Sequence, residues 1–407
     1  MGQLPGHKRE RSAPVKDILR RVKSTRNRME GSAVAKQVDE ETRQVQVETS
    51  EEELVHSDPW FSDGNIVLRT QGLAFKVHRG QLERHSDVFR GIFSIPQPAD
   101  IPLSEGIPIL DLHDSADDLR CFLRALYDGL YYKNLSANDF SVISSVMRIS
   151  TKYLFDHLQE RSASRLSMDW PNTLAGWDSR ELEAMDALGR YNPRTRFAQP
   201  IYVINFAREV GHLNILPSAF YDLCRYSPSK IIEGAPLLPA PEIVSSMSTV
   251  SQAGQEGQSP DGVMNVLLSP SDARLVLLGR ESAQRAAASF IEDELSSRSI
   301  AADCHNRERE GGRVCRESFY FIMLNLLRAV GGIAHGRECD PLYTLTQAVE
   351  MTSRSDFSDG LQLCSLKICA ACKLDFAHSV ALGREQIWSK IPSWFGMEDF
   401  TGKEIKV

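Results

Sequence analysis

From about residue 58 the hydrophobic positions change period in an order that predicts a compact α+β segment followed by helices. Asp63 and Gly64 form a turn signal, and Ile66–Thr70 has the branched, alternating character of a strand. Gln71 and Gly72 turn the chain again, so Leu73–Val77 becomes the hairpin partner. At Arg79 the period shifts. Leu82, Val88, Phe89, Ile92 and Phe93 recur at helical spacings, and Ser86 with Asp87 marks the start of a second short helix. Pro96, Pro98, Pro102 and Pro108 then exclude regular helix. Residues 109–112 read as a short strand, Asp114 and Ser115 as an N-cap, and residues 119–127 as an amphipathic helix. Two further helices are predicted over 137–149 and 151–166.

Beyond residue 170 the pattern is helical throughout. A helix over 216–226 is predicted to stop at Ser227 and Pro228, and one beginning behind Ser269 and Pro270 to run to about residue 295. Further helices are expected over 313–330, 342–351 and 361–391, the last closed by Pro392. Residues 235–268 are rich in Pro, Ser, Gly and Gln and lack aromatics, the composition of a flexible linker. The resulting division is a disordered tail (1–55), a mixed α+β domain (56–168), a helical extension (169–234), the linker (235–268) and a helical C-terminal domain (269–407).

Charge and composition narrow the classes. The tail has many charges and few large apolar side chains, too little to offset the entropy of ordering. Its Lys8 and Arg9, followed by Arg20, Arg21 and Lys23, have the spacing of a bipartite nuclear import signal or form a solvated basic arm. A net charge of −7 over 407 residues argues against a body built to hold nucleic-acid phosphates. No apolar run approaches the ~18 residues of a membrane span, and the N-terminus lacks a signal-peptide core, so an intracellular protein of nucleus or cytoplasm is expected.

The segment 58–167 resembles the BTB/POZ family. The features that carry the likeness are the hairpin with Asn65 and Phe75, the run Lys76, Val77, His78, Arg79, then Leu82, Ser86, Val88 and Phe89, the pair Leu126 and Tyr127, and residues 149–158. Residues 63–68, 109–115 and 383–396 are similar to those of a large group of BTB/POZ proteins of mushroom-forming fungi. The resemblance implies a small sheet flanked by helices, with a mainly α-helical region after it. It further implies a non-enzymatic adaptor that self-associates into a homo-oligomer or docks a cullin-type ubiquitin ligase scaffold. Asn65 stands where many members carry Asp, and residues 94–98 lack the apolar-x-Glu pattern of several cullin-binding members, which ranks self-association first. A nuclear transcription-associated regulator is the alternative. Physically, His78 at a strand end reads as a structural hydrogen-bonding group, Ser86 as a helix cap, and Phe89 as core.

Six of the eight cysteines lie beyond residue 300. Cys369 and Cys372 have the two-residue gap with which two thiolates grip one tetrahedral zinc, at Zn–S distances near ~2.3 Å. Cys304 and Cys315 are the candidates to complete the set, with Cys339, Cys364, His335 and His378 in reserve. Buried free thiols and a redox pair are the competing assignments. A zinc- or thiol-dependent enzyme in the C-terminal domain stands as a third function class, without a His-Glu-x-x-His or nucleophile–base signature to carry it.

Overall fold

The alternation over residues 66–77 folds into a tight hairpin at the centre of a five-stranded mixed sheet. The computed structural model describes residues 55–96, 102–129, 136–237, 265–330, 336–355, 357–358 and 363–397. Strands β1 (Val55–Trp60), β2 (Ile66–Thr70), β3 (Leu73–Val77), β4 (Leu103–Ser104) and β5 (Ile107–Asp111) lie in the order β1-β3-β2-β5-β4. β2 pairs antiparallel with β3 and parallel with β5, while β1 adds parallel to the far side of β3. Gln71 (φ 47°) and Gly72 (φ 78°) are both left-handed, as a two-residue type I′ turn requires.

Helices α1 (Arg79–His85) and α2 (Asp87–Ser94) follow as a short pair, and α3 (Ala116–Asp128), α4 (Asp139–Tyr153) and α5 (Asp156–Asp169) complete this part. Phe75 and Val77 of β3, Leu82 of α1, Phe89 of α2, Phe122 of α3 and Phe155 form one buried cluster. Phe155 organises it: its ring meets Phe122 edge-on at 4.7 Å and Phe89 at 6.0 Å between centroids.

The remainder is helical: α6 (Leu174–Glu183), α7 (Pro193–Arg196), α8 (Pro200–Val210), α9 (Leu216–Cys224), α10 (Pro228–Glu233), α11 (Pro270–Ile291), α12 (Arg313–Val330), α13 (Pro341–Met351) and α14 (Ala370–Trp394). Two-residue ladders join β6 (Ala235–Pro236) to β7 (Asn265–Val266) and β8 (Phe357–Ser358) to β9 (Leu363–Cys364). A second hydrophobic cluster runs from Phe140 and Met147 of α4 through α8, α9, α11, α12 and α13 to Phe395 and Met397. The helical extension and the C-terminal helices therefore share one core, and the β6–β7 ladder ties together the two ends of the linker. Residues 1–54 of the tail, whose last residue Val55 opens β1, and residues 238–264 of the linker lie outside the described residues.

Several boundaries differ from expectation. The break predicted near residue 150 falls at Leu154, which adopts φ 55° and caps α4 so that Phe155 can turn into the core. The helix predicted to stop at Ser227 and Pro228 ends two residues earlier, with α9 closing at Cys224, and those two residues also begin α10, because Pro at the first helical position loses no intrahelical bond. The last helix starts at Ala370 rather than 361, and it runs through Pro392 to Trp394. Past that proline, buried Phe395 stacks on Phe220 at 5.1 Å, which holds the final turn against the core. Among the described residues, no helix is long and apolar enough to cross a membrane.

Candidate functional site

The four cysteines singled out from spacing lie together. Cys304 sits in the loop between α11 and α12, Cys315 in the first turn of α12, Cys369 at the N-cap of α14 and Cys372 in its first turn. Their sulfurs all lie within 4.8 Å of one another. Cys304 Sγ is 3.9 Å from Cys315 Sγ and 3.7 Å from Cys369 Sγ. A tetrahedron with bonds of ~2.3 Å has edges of about 3.8 Å, so these separations fit one shared metal ion. No disulfide links them.

The surroundings favour negative sulfur. Cys372 Sγ accepts the Ala301 N–H at 3.4 Å, and Cys315 Sγ accepts the Cys369 N–H at 3.5 Å and the Asn306 side-chain amide at 3.2 Å. Backbone N–H groups of Asn306 and of His305 and Cys372 point at Cys304 and Cys369 respectively. Every sulfur thus has at least one N–H donor, the supporting shell that a thiolate set needs. Burial opposes ionisation of Cys369, but donors from Cys372 and His305 and the adjoining thiols outweigh it and lower its pKa to about 6. Burial, reinforced by the neighbouring thiols, pushes Cys372 the other way. Four ligands also fill a tetrahedron, whereas a catalytic zinc keeps one position open. The reserve ligands stand apart or undescribed. Cys339 bonds the Arg225 and Gly336 carbonyls, His378 is exposed on α14, and His335 and the Cys364 side chain lie outside the described residues.

The residues named for the N-terminal motif hold the sheet to its helices. Asn65 Oδ1 accepts the Arg79 backbone N–H at 2.7 Å, which caps the entry to α1 without a carboxylate. The Arg79 guanidinium turns instead to Glu83, at 2.9 Å, and lies over the Phe93 ring. Tyr127 Oη accepts the His78 N–H at 2.9 Å and lies 3.1 Å from its Nδ1, while Nε2 is 3.2 Å from Asp63. Ser86 Oγ accepts the Phe89 N–H at 3.1 Å and donates to the Tyr153 carbonyl at 2.5 Å. Phe75, Leu82 and Phe89 are buried.

A buried ionic network, of which spacing signals only the Asp222–Arg225 pair, joins α6, α7, α9 and the start of α13. Asp222 accepts from Arg180 at 2.7 Å, from Arg194 at 2.5 Å and from Arg225. Arg225 reaches on to Glu181 at 3.0 Å and Asp340 at 3.2 Å, and the Tyr221 hydroxyl donates to Asp340. Arg180 is packed among the rings of Trp170, Trp177 and Phe197, with its charge matched by Asp222 and Glu181. Apart from the local pairs Asp222–Arg225 at the end of α9 and Arg180–Glu181 within α6, the partners come from separate elements, so only the folded chain brings them together.

No model of a known protein family matches the chain, and no curated protein is detectably similar to it.

Proposed function

We propose that this chain is a non-enzymatic interaction protein: a BTB/POZ-type module that self-associates, carried on a helical body stapled by one structural zinc. The observation that carries the module is the order of its parts. In chain order β1, an antiparallel hairpin, a short helical pair, a strand parallel to β2 and three more helices build a small sheet flanked by helices, the coarse arrangement expected of a BTB/POZ-type module, and this supports the reading. Asn65, His78 and Ser86 serve internal hydrogen bonds in that frame, which leaves the module's outer surface as its means of recognising other proteins. Docking of a cullin-type scaffold is a second use of the same surface.

For the staple, the support is the tetrahedral spacing of four sulfurs with N–H donors around them. Cys304, Cys315, Cys369 and Cys372 would hold zinc as thiolates, and the ion would bind the loop before α12 to the start of α14.

Static light scattering of the intact chain over a micromolar dilution series tests the module. A dimer that dissociates on dilution is the expected result. A strictly monomeric chain at every concentration overturns self-association.

A further inference from the structure

We propose that Cys369 is an oxidation site at which a peroxide links it to Cys304 and thereby expels the metal. This rests on the zinc assignment above and concerns how the same centre is regulated. The four sulfurs are not equivalent. Cys315 and Cys372 are fully buried and Cys304 is 5% exposed, while Cys369 alone is half-buried at the edge of the cluster. An oxidant arriving from solvent meets Cys369 first. The sulfur that can answer is already placed: Cys304 Sγ lies 3.7 Å away, and both residues sit where backbone can adjust, one in the loop before α12 and the other at the N-cap of α14. The long helices leave less freedom to Cys315 and Cys372, which lie inside first turns.

The chemistry balances with hydrogen peroxide as the co-reactant. The Cys369 thiolate attacks one peroxide oxygen, the O–O bond breaks, and the other oxygen takes a proton and leaves with its hydrogen as water. Cys369 is left as a sulfenic acid. The Cys304 thiolate then attacks the Cys369 sulfur, an S–S bond forms, and the sulfenic oxygen departs as a second water after taking another proton. Two thiolates, one peroxide and two protons give one disulfide and two waters. Only Cys315 and Cys372 remain as ligands, too few to retain zinc, and the clamp between the loop and α14 opens. A dithiol reductant takes up the disulfide by exchange, returning Cys304 and Cys369 as thiols while it becomes a disulfide itself, and added zinc then refills the site.

The test uses the full chain purified without chelator. Zinc is first quantified by elemental analysis, then hydrogen peroxide is added, released metal is followed with a metallochromic dye, and disulfides are mapped by mass spectrometry. Expected are one zinc per chain beforehand, its loss on oxidation with a Cys304–Cys369 link, and recovery with dithiol and zinc. Absence of metal before oxidation overturns the zinc assignment and this proposal with it. Zinc retained through oxidation, or released with a different pair linked, overturns this proposal alone. Cys369→His gives a second arm, because imidazole is a zinc ligand that cannot form a disulfide. This variant should keep its metal under the peroxide that strips the parent. Equally fast release from both proteins would refute the role of Cys369.

Discussion

Asp222 shows how much one side chain can hold. It is fully buried and faces three guanidinium groups, from Arg180, Arg194 and Arg225. Burial alone would raise its pKa, but those three charges reverse the shift and hold the carboxyl well below the usual carboxylate range. Removing the charge leaves buried cations unpaired, which typically costs about 3–5 kcal/mol. Asp222→Asn should lower the urea midpoint accordingly, and a midpoint within error of the parent would show that the network is not stabilising. The pH dependence has a definite sign. A carboxyl whose folded pKa is depressed contributes stability in full above its unfolded value, near ~3.9, and loses it as pH falls through the folded pKa. The parent should therefore lose stability on acidification below about pH 4 more steeply than Asp222→Asn does. Asp340, which burial holds above the usual range, contributes with the opposite slope. The long-range partners of this network could not be read from sequence, because an Arg or Asp on a helix has the same local signature whether it faces solvent or a partner on another helix.

Elements were legible where local chemistry decides them. Strands β2 and β3 have the residue ranges that alternation and turn chemistry predict, and α12 spans the predicted 313–330. Ser86, Ser115 and Ser269 cap their helices by accepting N–H groups from Phe89, Asp118 and Asp272. Boundaries set by tertiary packing were not legible: Leu154 turns left-handed because Phe155 is drawn into the core, and α14 passes Pro392 because Phe395 is anchored beyond it. The Cys369–Cys372 gap was legible as part of a cysteine cluster that could hold a metal, whereas the Ala301, His305 and Asn306 donors have no sequence signature. Close packing of α11 gives a direct check. A Cβ built on Gly279 would lie 2.0 Å from Phe395 Cε1, inside any real contact. Gly279→Ala should thus cost about 1–3 kcal/mol despite alanine's better helix propensity. A Gly279→Ala protein that melts higher than the parent would show that the last turn of α14 does not seat there. At the staple, Cys372→Ser should abolish metal binding and lower the melting temperature. A metal-free variant that melts like the parent would reduce the four sulfurs to ordinary core thiols.

At the scale of the whole molecule, the core that starts in α4 and ends at Met397 makes the helical body one folding unit with a shared interior. The sheet and its helical pair keep a separate cluster around Phe75, Phe89 and Phe155, so the N-terminal module has its own packing to present a surface. Truncation at residue 170 would cut through Leu166 and Trp170, which belong to the larger core, so such a fragment should aggregate or lose helicity where the intact chain does not. A well-folded fragment by circular dichroism and light scattering would instead show that the module stands alone. The most direct single test is native mass spectrometry of the intact chain purified without chelator. An interaction module on a zinc-stapled body predicts the mass of two chains with two zinc ions. A single chain at all concentrations contradicts self-association, and the mass of bare polypeptide contradicts the metal centre.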